Sequence, residues 1–321
     1  MGDDEIRTER GKIKMSLSDK KRTKHYSDKQ GKTIAEKGHF AFTLVALIIL
    51  ILYSVSLLFV LVWALMNTFK LNTELITNYF GFPKNIKSVG FLNYKKAFIT
   101  NTIPVLTKSG IENVNILRMF GNSIVYSVGC TFFTLLTQTL TSYCVAKYDF
   151  KLGKVIYVVV IVTMLMPVIG SLPSEMEIMN KLSFNNNFLG VFIKSCTFGG
   201  QNFLILYATF KSISWTYAEA AQLDGANNFT IFIKIMLPLA LASMVAVGIL
   251  LFIMYWNEYY VPMLYLRSYP TAAYGLYMMQ DRAYEPERLA ASLIVCIPTL
   301  ILFLIFRNKI MGNLAIGGIK G

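Results

Sequence analysis

The sequence predicts an all-α membrane protein with six transmembrane helices. Hydrophobic residues make up 55% of the chain and charged residues only 15%, whereas a soluble globular domain carries about 25% charged residues. The apolar residues are also gathered into long uncharged blocks, and about 20 such residues suffice for a helix that crosses the hydrocarbon core of a bilayer. The membrane span is therefore the unit from which this fold is built.

Six uncharged blocks provide the predicted spans. The first lies at residues 40–66 and follows a polar segment that lacks the pattern of a secretory signal. The fourth, at residues 195–210, is the shortest, although Lys194 at its edge can reach the membrane interface and extend it. The other four spans lie at residues 119–146, 155–174, 235–257 and 289–306.

Basic residues predict the orientation of these spans. Lys and Arg accumulate in cytoplasmic loops close to span ends, and Lys147, Lys151 and Lys154 crowd the short loop between spans 2 and 3, while Arg307 follows span 6. Both termini are therefore predicted to be cytoplasmic. The net charge of +13 then reflects topology and attraction to anionic membrane lipid, and not nucleic-acid binding, because the basic residues are spread over the tail and loops.

The predicted organisation has three parts. A polar cytoplasmic tail at residues 1–39 precedes the transmembrane domain at residues 40–310, and a Gly-rich cytoplasmic tail at residues 311–321 follows it. Two outer segments are long enough to fold: residues 67–118 are rich in turn-forming residues, and residues 258–288 are rich in Tyr and Met. Aromatic faces of this kind stack on sugars or anchor a protein partner, but Tyr is also enriched wherever a chain meets the membrane interface.

Residues needed for catalysis or metal binding are scarce. The only histidines, His25 and His39, precede the first span, and the four cysteines form no CxxC pair. Imidazole catalysis, a metal site and an intramembrane enzyme are therefore not expected. The sequence also contains no GxxxxGK[ST] phosphate loop, so the chain is not expected to hydrolyse ATP alone.

The loop between spans 4 and 5, at residues 216–237, carries the most specific pattern. Its small residues predict a short helix, and Gly225 predicts a sharp turn because glycine adopts positive φ without strain. The pattern is Glu219-Ala220-Ala221, two residues, Asp224-Gly225-Ala226, eight residues, then Ile235-x-Leu237-Pro238.

A second helix is predicted after this turn. Phe229, Phe232, Ile233 and Met236 recur at helical spacing, which predicts a single apolar face directed at the membrane surface or the span ends. Pro238 is predicted to begin span 5, where its missing N–H has little effect.

The loop resembles the EAA signature of the membrane-spanning subunits of type I ABC importers, and the resemblance extends over most of the chain. Two features are similar to the maltose-permease-like branch, which imports carbohydrates: Trp256-Asn257-Glu258 near the end of span 5 and the Gly-rich end Gly317-Gly318-Ile319-Lys320-Gly321. The tail at residues 1–39 is longer than expected for that branch. The resemblance implies that the loop forms a cytoplasmic coupling helix docking on a separate ATPase subunit through Glu219, Ala220, Ala221, Asp224, Gly225 and Ala226.

The resemblance also implies the partners. These are a dimer of ABC ATPase subunits that binds ATP and Mg, a second homologous permease subunit, and an extracytoplasmic solute-binding protein that delivers a carbohydrate, most simply an oligosaccharide. The implied location is the plasma (inner) membrane of a bacterium, and no cofactor is expected in this chain. Tyr269, Tyr274 and Tyr277 are the expected contacts with the binding protein.

Polar residues in the spans are the candidates for the solute pathway: Gln138, Thr134, Asn257 and Glu258. Hydroxyl side chains in spans more often bond the preceding turn or a neighbouring helix, whereas a carboxamide in hydrocarbon requires partners. The main alternative function is a secondary transporter or channel for a small polar solute. Ion-coupled carriers usually place Asp, Glu or His within the membrane, and the uncharged blocks contain none.

Overall fold

The computed structural model describes residues 42–84, 86–107, 110–166 and 170–314, with the backbone alone at residues 88 and 308–314. The chain divides into two units, residues 1–64 and 65–321. Helix α1, Phe42–Asn67, begins in the first unit, ends at the start of the second, and is long and apolar enough to cross a membrane. The predicted tail at residues 1–39 and residues 315–321 of the Gly-rich tail lie outside the described residues.

The described residues of 68–115, here called the cap, form short helices and two strands. The two strands pair antiparallel, with Ile103 opposite Val114 and Thr107 opposite Gly110. The fold is therefore mainly helical, and this hairpin is a local departure from the predicted all-α class. The cap contains α2 (Asn72–Thr77), α3 (Ile86–Val89), α4 (Leu92–Lys95), a π-helical turn (Lys96–Thr100), β1 (Ile103–Thr107) and β2 (Gly110–Val114).

Two buried side chains inside the cap donate hydrogen bonds to backbone carbonyls that lie outside regular helices and strands. Lys70 is fully buried and its Nζ donates to the carbonyl of Asn78 at 2.6 Å. Asn93 Nδ2 donates to the carbonyls of Thr68 and Lys70 at 2.7 and 2.8 Å. Burial lowers the pKa of Lys70, and the Glu74 carboxylate partly offsets this effect. These bonds meet the requirement that buried backbone carbonyls find donors.

The remaining elements are helices. They are α5 (Ile116–Lys147), α6 (Lys151–Leu165), α7 (Leu172–Lys181), α8 (Phe188–Ser195), α9 (Gln201–Ser212), α10 (Thr216–Leu223), α11 (Asn228–Ile231), a π-helical turn (Phe232–Met236), α12 (Leu237–Asn257), α13 (Tyr260–Tyr265), α14 (Ala272–Met278) and α15 (Glu285–Leu314).

Four helices of the described residues are long and apolar enough to cross a membrane. They are α1, α5, the continuous run Asn228–Asn257, and Glu285–Arg307 within α15. These helices correspond to the first, second, fifth and sixth predicted spans.

The third and fourth predicted blocks form shorter helices than expected. Helix α6 has 15 residues and ends at Leu165, because Met166 precedes a proline and takes an extended conformation. Helix α9 has 12 residues and begins after Gly200, whose φ is +96°. At 1.5 Å per residue these helices are about 22 and 18 Å long, less than the ~30 Å of the hydrocarbon core. Hydropathy alone did not detect these backbone breaks.

Helix α5 is the centre of the packing and contacts α8, α9, α12 and α14. One of its faces carries buried Ser, Thr and Gln side chains. Trp256, also buried, donates its Nε1 hydrogen to the carbonyl of Val295 at 3.0 Å and so ties α12 to α15.

Candidate functional site: the coupling loop

Helix α10 and the turn that follows it are built by local sequence signals. Gly225 takes a φ of +82°, and the amide of Ala226 donates to the carbonyl of Ala221 at 2.9 Å, while the amide of Gly225 donates to that of Gln222 at 3.0 Å. This pair of bonds is the Schellman motif, which satisfies the last carbonyls of a helix. Asn227 then begins α11, because its Oδ1 accepts from the amide of Thr230 at 2.8 Å.

The inner side of α10 packs on the core of its own chain. Ala218 is fully buried, and Ala221 and Ala226 contact the same cluster. Ala221 and Ala226 are therefore partly buried within this chain, which leaves less of their surface available to an ATPase subunit than the resemblance implied. Within this cluster lie Tyr143, Phe210, Ile231, Met236 and Ala240, which come from α5, α9, α11, the second π-helical turn and α12.

The outer side of α10 is exposed. Glu219, Ala220 and Asp224 are accessible, and Leu223 is 91% exposed. In the part of the chain that the structure describes, Glu219 forms no ion pair. The helix therefore presents a carboxylate, a small residue and an apolar side chain on a surface that no described residue covers.

Two contacts hold the entrance to α10. Lys147 Nζ, at the end of α5, donates to the carbonyl of Ile213. The rings of Tyr148 and Trp215 meet edge to face with centroids 5.9 Å apart. These contacts join the residues before α10 to the end of α5, so α10 is attached to the helical core on both sides.

The segment after the turn differs from the predicted single apolar face. Phe229 is 71% exposed and Ile233 is exposed, whereas Met236 is buried together with Ile231. The cause is the π-helical turn at Phe232–Met236, in which the amide of Leu237 donates to the carbonyl of Phe232. A π-helical turn contains an extra residue, so the buried positions fall five residues apart and not four.

Comparison with known proteins identifies the chain. Residues 138–315, which include α10 and its turn, match the family "Binding-protein-dependent transport system inner membrane component". The chain belongs to this family. The resemblance drawn from the EAA pattern is thereby confirmed, and the protein is the permease component of an ABC importer.

Curated relatives of this permease align with most of its length. The diacetylchitobiose uptake system permease protein NgcG of Streptomyces coelicolor is 26% identical over 285 residues, covering 86% of this chain and 88% of NgcG. The arabinooligosaccharides transport system permease protein AraQ of Halalkalibacterium halodurans is 28% identical over 229 residues, covering 70% and 80% of the two chains.

A solved structure shares the fold of the permease. It is a chain of a bacterial ABC transporter involved in the import of the acidic polysaccharide alginate, with a TM-score of 0.67 and 22% identity. The match covers 83% of this chain and 95% of that chain. At this identity the likeness establishes the fold of the permease.

Two solute-pathway candidates hold helices of the permease together. Thr134 Oγ1 donates to the carbonyl of Ser195 at 2.8 Å and lies 2.8 Å from the hydroxyl of Tyr255. Gln138 Nε2 donates to the carbonyl of Gly199 at 2.9 Å, while its Oε1 is buried without a partner among the described residues. Thr134 therefore joins α5 to the end of α8, and Gln138 joins α5 to the link between α8 and α9.

The other two candidates lie at the end of α12. Glu258 Oε1 accepts from the amide of Tyr260, the first residue of α13, at 2.7 Å and so gives one of the free amides of that helix a partner. Asn257 Nδ2 donates to the carbonyl of Ile253, one turn earlier, at 2.8 Å. These side chains therefore bond within the end of α12 and to the start of α13, and neither bonds to Thr134 or Gln138 in the part of the chain that the structure describes.

The three tyrosines expected to meet a binding protein differ in exposure. Tyr274 is only 8% exposed, so its burial removes it from the surface available in this conformation. That burial raises the pKa of Tyr274, and the nearby Arg267 partly offsets the effect. Tyr269 and Tyr277 are both exposed.

Tyr277 belongs to an aromatic site that the sequence did not indicate. Its ring stacks on that of Tyr259 with centroids 4.9 Å apart and an interplanar angle of 19°. The pair lines a cavity of about 470 Å³ that Gln280 and Arg288 also border. The composition of residues 258–288 predicted an aromatic surface but not this pairing, since Tyr259 precedes α13 and Tyr277 lies in α14.

Proposed function

We propose that this permease imports a carbohydrate, most simply an oligosaccharide, and that ATP hydrolysed in separate ATPase subunits drives transport through α10. The observation that carries the proposal is the two-sided character of α10. Its inner side is fixed to residues of α5, α9, α11 and α12, whereas its outer side presents Glu219, Ala220 and Leu223 to a partner. A force applied to the outer side would thus be transmitted to the helices of the pathway.

The composition of the outer side suits a protein partner. Ala220 allows close approach, and the exposed Leu223 can enter an apolar groove. The carboxylate of Glu219 can form a charge-assisted hydrogen bond with a basic residue, worth about 1.5–3 kcal/mol if the contact is desolvated.

The carbohydrate assignment is supported by the relatives. NgcG is named for diacetylchitobiose and AraQ for arabinooligosaccharides, and the structural neighbour belongs to an importer of a polysaccharide. The stacked Tyr259 and Tyr277 beside Arg288 and Gln280 provide the aromatic and polar groups that sugars bind. Family membership disfavours the alternative of a secondary transporter or channel.

The assembly proposed for transport has four kinds of component. Besides this chain they are two ATPase subunits that bind ATP and Mg, a second homologous permease and an extracytoplasmic solute-binding protein, all acting at the plasma (inner) membrane of a bacterium. Coupling through α10 requires that this helix lie on the cytoplasmic side, with both termini.

Contacts of the segment between α6 and α9 support six crossings. The segment from α7 to α8 hydrogen-bonds to the segment at residues 258–284: Tyr265 donates to Glu175 at 2.6 Å, and Asn186 Nδ2 donates to Ser268 Oγ at 2.7 Å. Ser268 Oγ in turn donates to the carbonyl of Leu106 in the cap. If the cap and residues 258–284 are outside, α7 and α8 are outside too, and α6 and α9 then cross the membrane despite their short length.

The experiment that tests the function uses the complex from its own membranes. The tagged chain is extracted in mild detergent, its companions are identified by mass spectrometry, and the complex is reconstituted into liposomes. We expect an ATPase and a second permease to be recovered, with ATP hydrolysis stimulated by binding protein loaded with oligosaccharide. Recovery of the chain alone, with uptake driven by an ion gradient and not by ATP, would contradict the proposal.

Charge-reversal variants at two exposed glutamates test whether the ATPase subunit contacts Glu219. Glu219→Lys should remove the ATPase from the purified complex, because a lysine repels the expected basic partner. Glu177→Lys makes the same charge change on α7, where Glu177 is an exposed acid paired with Lys181 at 2.7 Å, and should retain the ATPase. Equal ATPase recovery with both variants would refute docking at Glu219.

A further inference from the structure

A second site lies beside the coupling loop. A cavity of about 540 Å³ opens between the end of α5, the start of α6 and the end of α9, and is here called the lysine cavity. Lys147, Lys154 and Lys211 line it, together with one acid, Asp149. The proposed coupling mechanism assigns no role to this space.

The charges in the lysine cavity are not balanced. Asp149 lies 3.6 Å from Lys154 Nζ, and both side chains are largely exposed, so this pair is weak. Lys147 Nζ donates to a neutral carbonyl, that of Ile213. Within the described residues Lys211 has no ion pair. Three ammonium groups therefore share one cavity with a single carboxylate, an arrangement that an anion would stabilise.

The walls of the lysine cavity are amphipathic. The rings of Tyr157 and Tyr207 lie with centroids 4.8 Å apart and line one side with Val158. Val155, Val158 and Val162 are 55%, 56% and 44% exposed and continue this wall along α6. A ligand that fits would therefore combine an anionic group with hydrocarbon, as a phospholipid does and inorganic phosphate does not.

We propose that the lysine cavity binds the headgroup of an anionic phospholipid of the cytoplasmic leaflet. The phosphate lies among Lys147, Lys154 and Lys211, and the acyl chains follow the valines of α6. Basic pockets between the cytoplasmic ends of transmembrane helices bind lipid headgroups in this way. The inference rests on the proposed function, which puts the loop between α5 and α6 on the cytoplasmic side.

The test measures which lipid stays with the complex. The complete complex is placed in nanodiscs of phosphatidylglycerol and phosphatidylcholine, released, and analysed by native mass spectrometry. Lys154→Gln combined with Lys211→Gln removes two cavity charges and spares the bond from Lys147 to Ile213. One control is Lys151→Gln, which removes an exposed charge near the cavity but outside its lining. The second control is the double change Lys151→Gln with Lys234→Gln, which removes two exposed charges outside the lining on the same proposed side of the membrane.

We expect the cavity variant to retain about tenfold less phosphatidylglycerol than wild type, and both controls to retain it normally. Equal loss in the two double variants would mean general charge attraction and would overturn the site. A second arm offers radiolabelled inorganic phosphate to the complex in neutral detergent. The lipid assignment would also be overturned if the wild type bound phosphate, the Lys154→Gln, Lys211→Gln variant did not, and neither retained phosphatidylglycerol selectively.

The same samples separate this inference from the proposed function. The ATPase is quantified in every preparation. If the wild-type complex contains its ATPase but shows no preference for phosphatidylglycerol over phosphatidylcholine, the lipid site is refuted and the coupling proposal is not. A wild-type chain that retains phosphatidylglycerol through Lys154 and Lys211 but never recovers an ATPase would refute the coupling proposal and leave the site standing.

Discussion

At the scale of single residues, the conformation of one glycine determines the angle between α10 and the helical run that follows it. Gly225 has a φ of +82°, and a Cβ added there would meet no atom within 4 Å. A substitution therefore introduces backbone strain but no steric clash. This separation makes Gly225 a position at which the geometry of the turn can be tested without disturbing the core.

We predict that Gly225→Ala weakens transport-coupled ATP hydrolysis while Gly225→Asn largely preserves it. Alanine in the left-handed region costs about 1 kcal/mol, whereas asparagine tolerates this region. The measurement is ATP hydrolysis by reconstituted complexes, with and without loaded binding protein. If Asn and Ala were equally damaging, the position would require the absence of any side chain, as at a close contact with a partner, and not positive φ alone.

A second prediction concerns Thr134, for which the structure indicates a structural role. Thr134→Val removes the bonds to the Ser195 carbonyl and the Tyr255 hydroxyl and should lower the free energy of unfolding by about 1–2 kcal/mol. Thr141→Val is the control, because Thr141 bonds only the preceding turn, at the carbonyl of Thr137. Thermal unfolding in detergent and solute affinity are both measured. Lost affinity without lost stability would return Thr134 to the solute pathway.

At the scale of elements, the π-helical turn at Phe232–Met236 joins α11, at the end of the coupling loop, to α12 in one continuous helical run. Pro238 has no N–H for the carbonyl of Lys234, and in a regular α-helix its ring would clash with that carbonyl. The wider turn lets the helical run continue from Asn228 to Asn257. It also places Ile231 and Met236, five residues apart, in the same buried cluster.

Shortening this turn should uncouple ATP hydrolysis from transport. Deletion of Ile233, an exposed residue of the turn, leaves Ile231 and Met236 four residues apart and so permits a regular α-helix. Pro238→Ala is added to avoid about 3 kcal/mol of proline strain. We expect this double variant to assemble with a normal Tm but to lose stimulation by loaded binding protein, because α10 is displaced relative to α12. Ile233→Ala keeps the chain length and is expected to behave as wild type.

The limits of sequence-based prediction are clearest at this scale. The Schellman turn at Gly225 could be predicted, because positive φ is encoded by a single residue type. The burial of Met236 and the exposure of Phe229 could not, because a period of 3.6 residues was assumed where the chain forms a π-helical turn. The early ends of α6 and α9 were missed for a related reason: hydropathy does not register the proline after Met166 or the positive φ of Gly200. Contacts between distant segments, such as Tyr259 with Tyr277, have no local signal.

At the scale of the whole molecule, the number of crossings decides which segments face which side. Both a four-span and a six-span chain return the C-terminus to the side of the N-terminus, so the termini cannot discriminate between them. The segment from α7 to α8 can. In a four-span arrangement it lies between the second and third crossings and remains cytoplasmic, whereas in the six-span arrangement it is outside, with the cap and residues 258–284.

Cysteine labelling of intact cells distinguishes these arrangements. In a background with Cys130, Cys144, Cys196 and Cys296 replaced by Ala, single cysteines are introduced at exposed Lys181 of α7 and exposed Lys151 of α6. Six crossings predict that a membrane-impermeant maleimide labels Lys181→Cys from outside and Lys151→Cys only after the membrane is opened. Four crossings predict that both are protected. The hydrogen bonds of Tyr265 to Glu175 and of Asn186 to Ser268 require α7, α8 and residues 258–284 to share one side. A protected cysteine at position 181 would therefore contradict both the proposed topology and these contacts in the membrane.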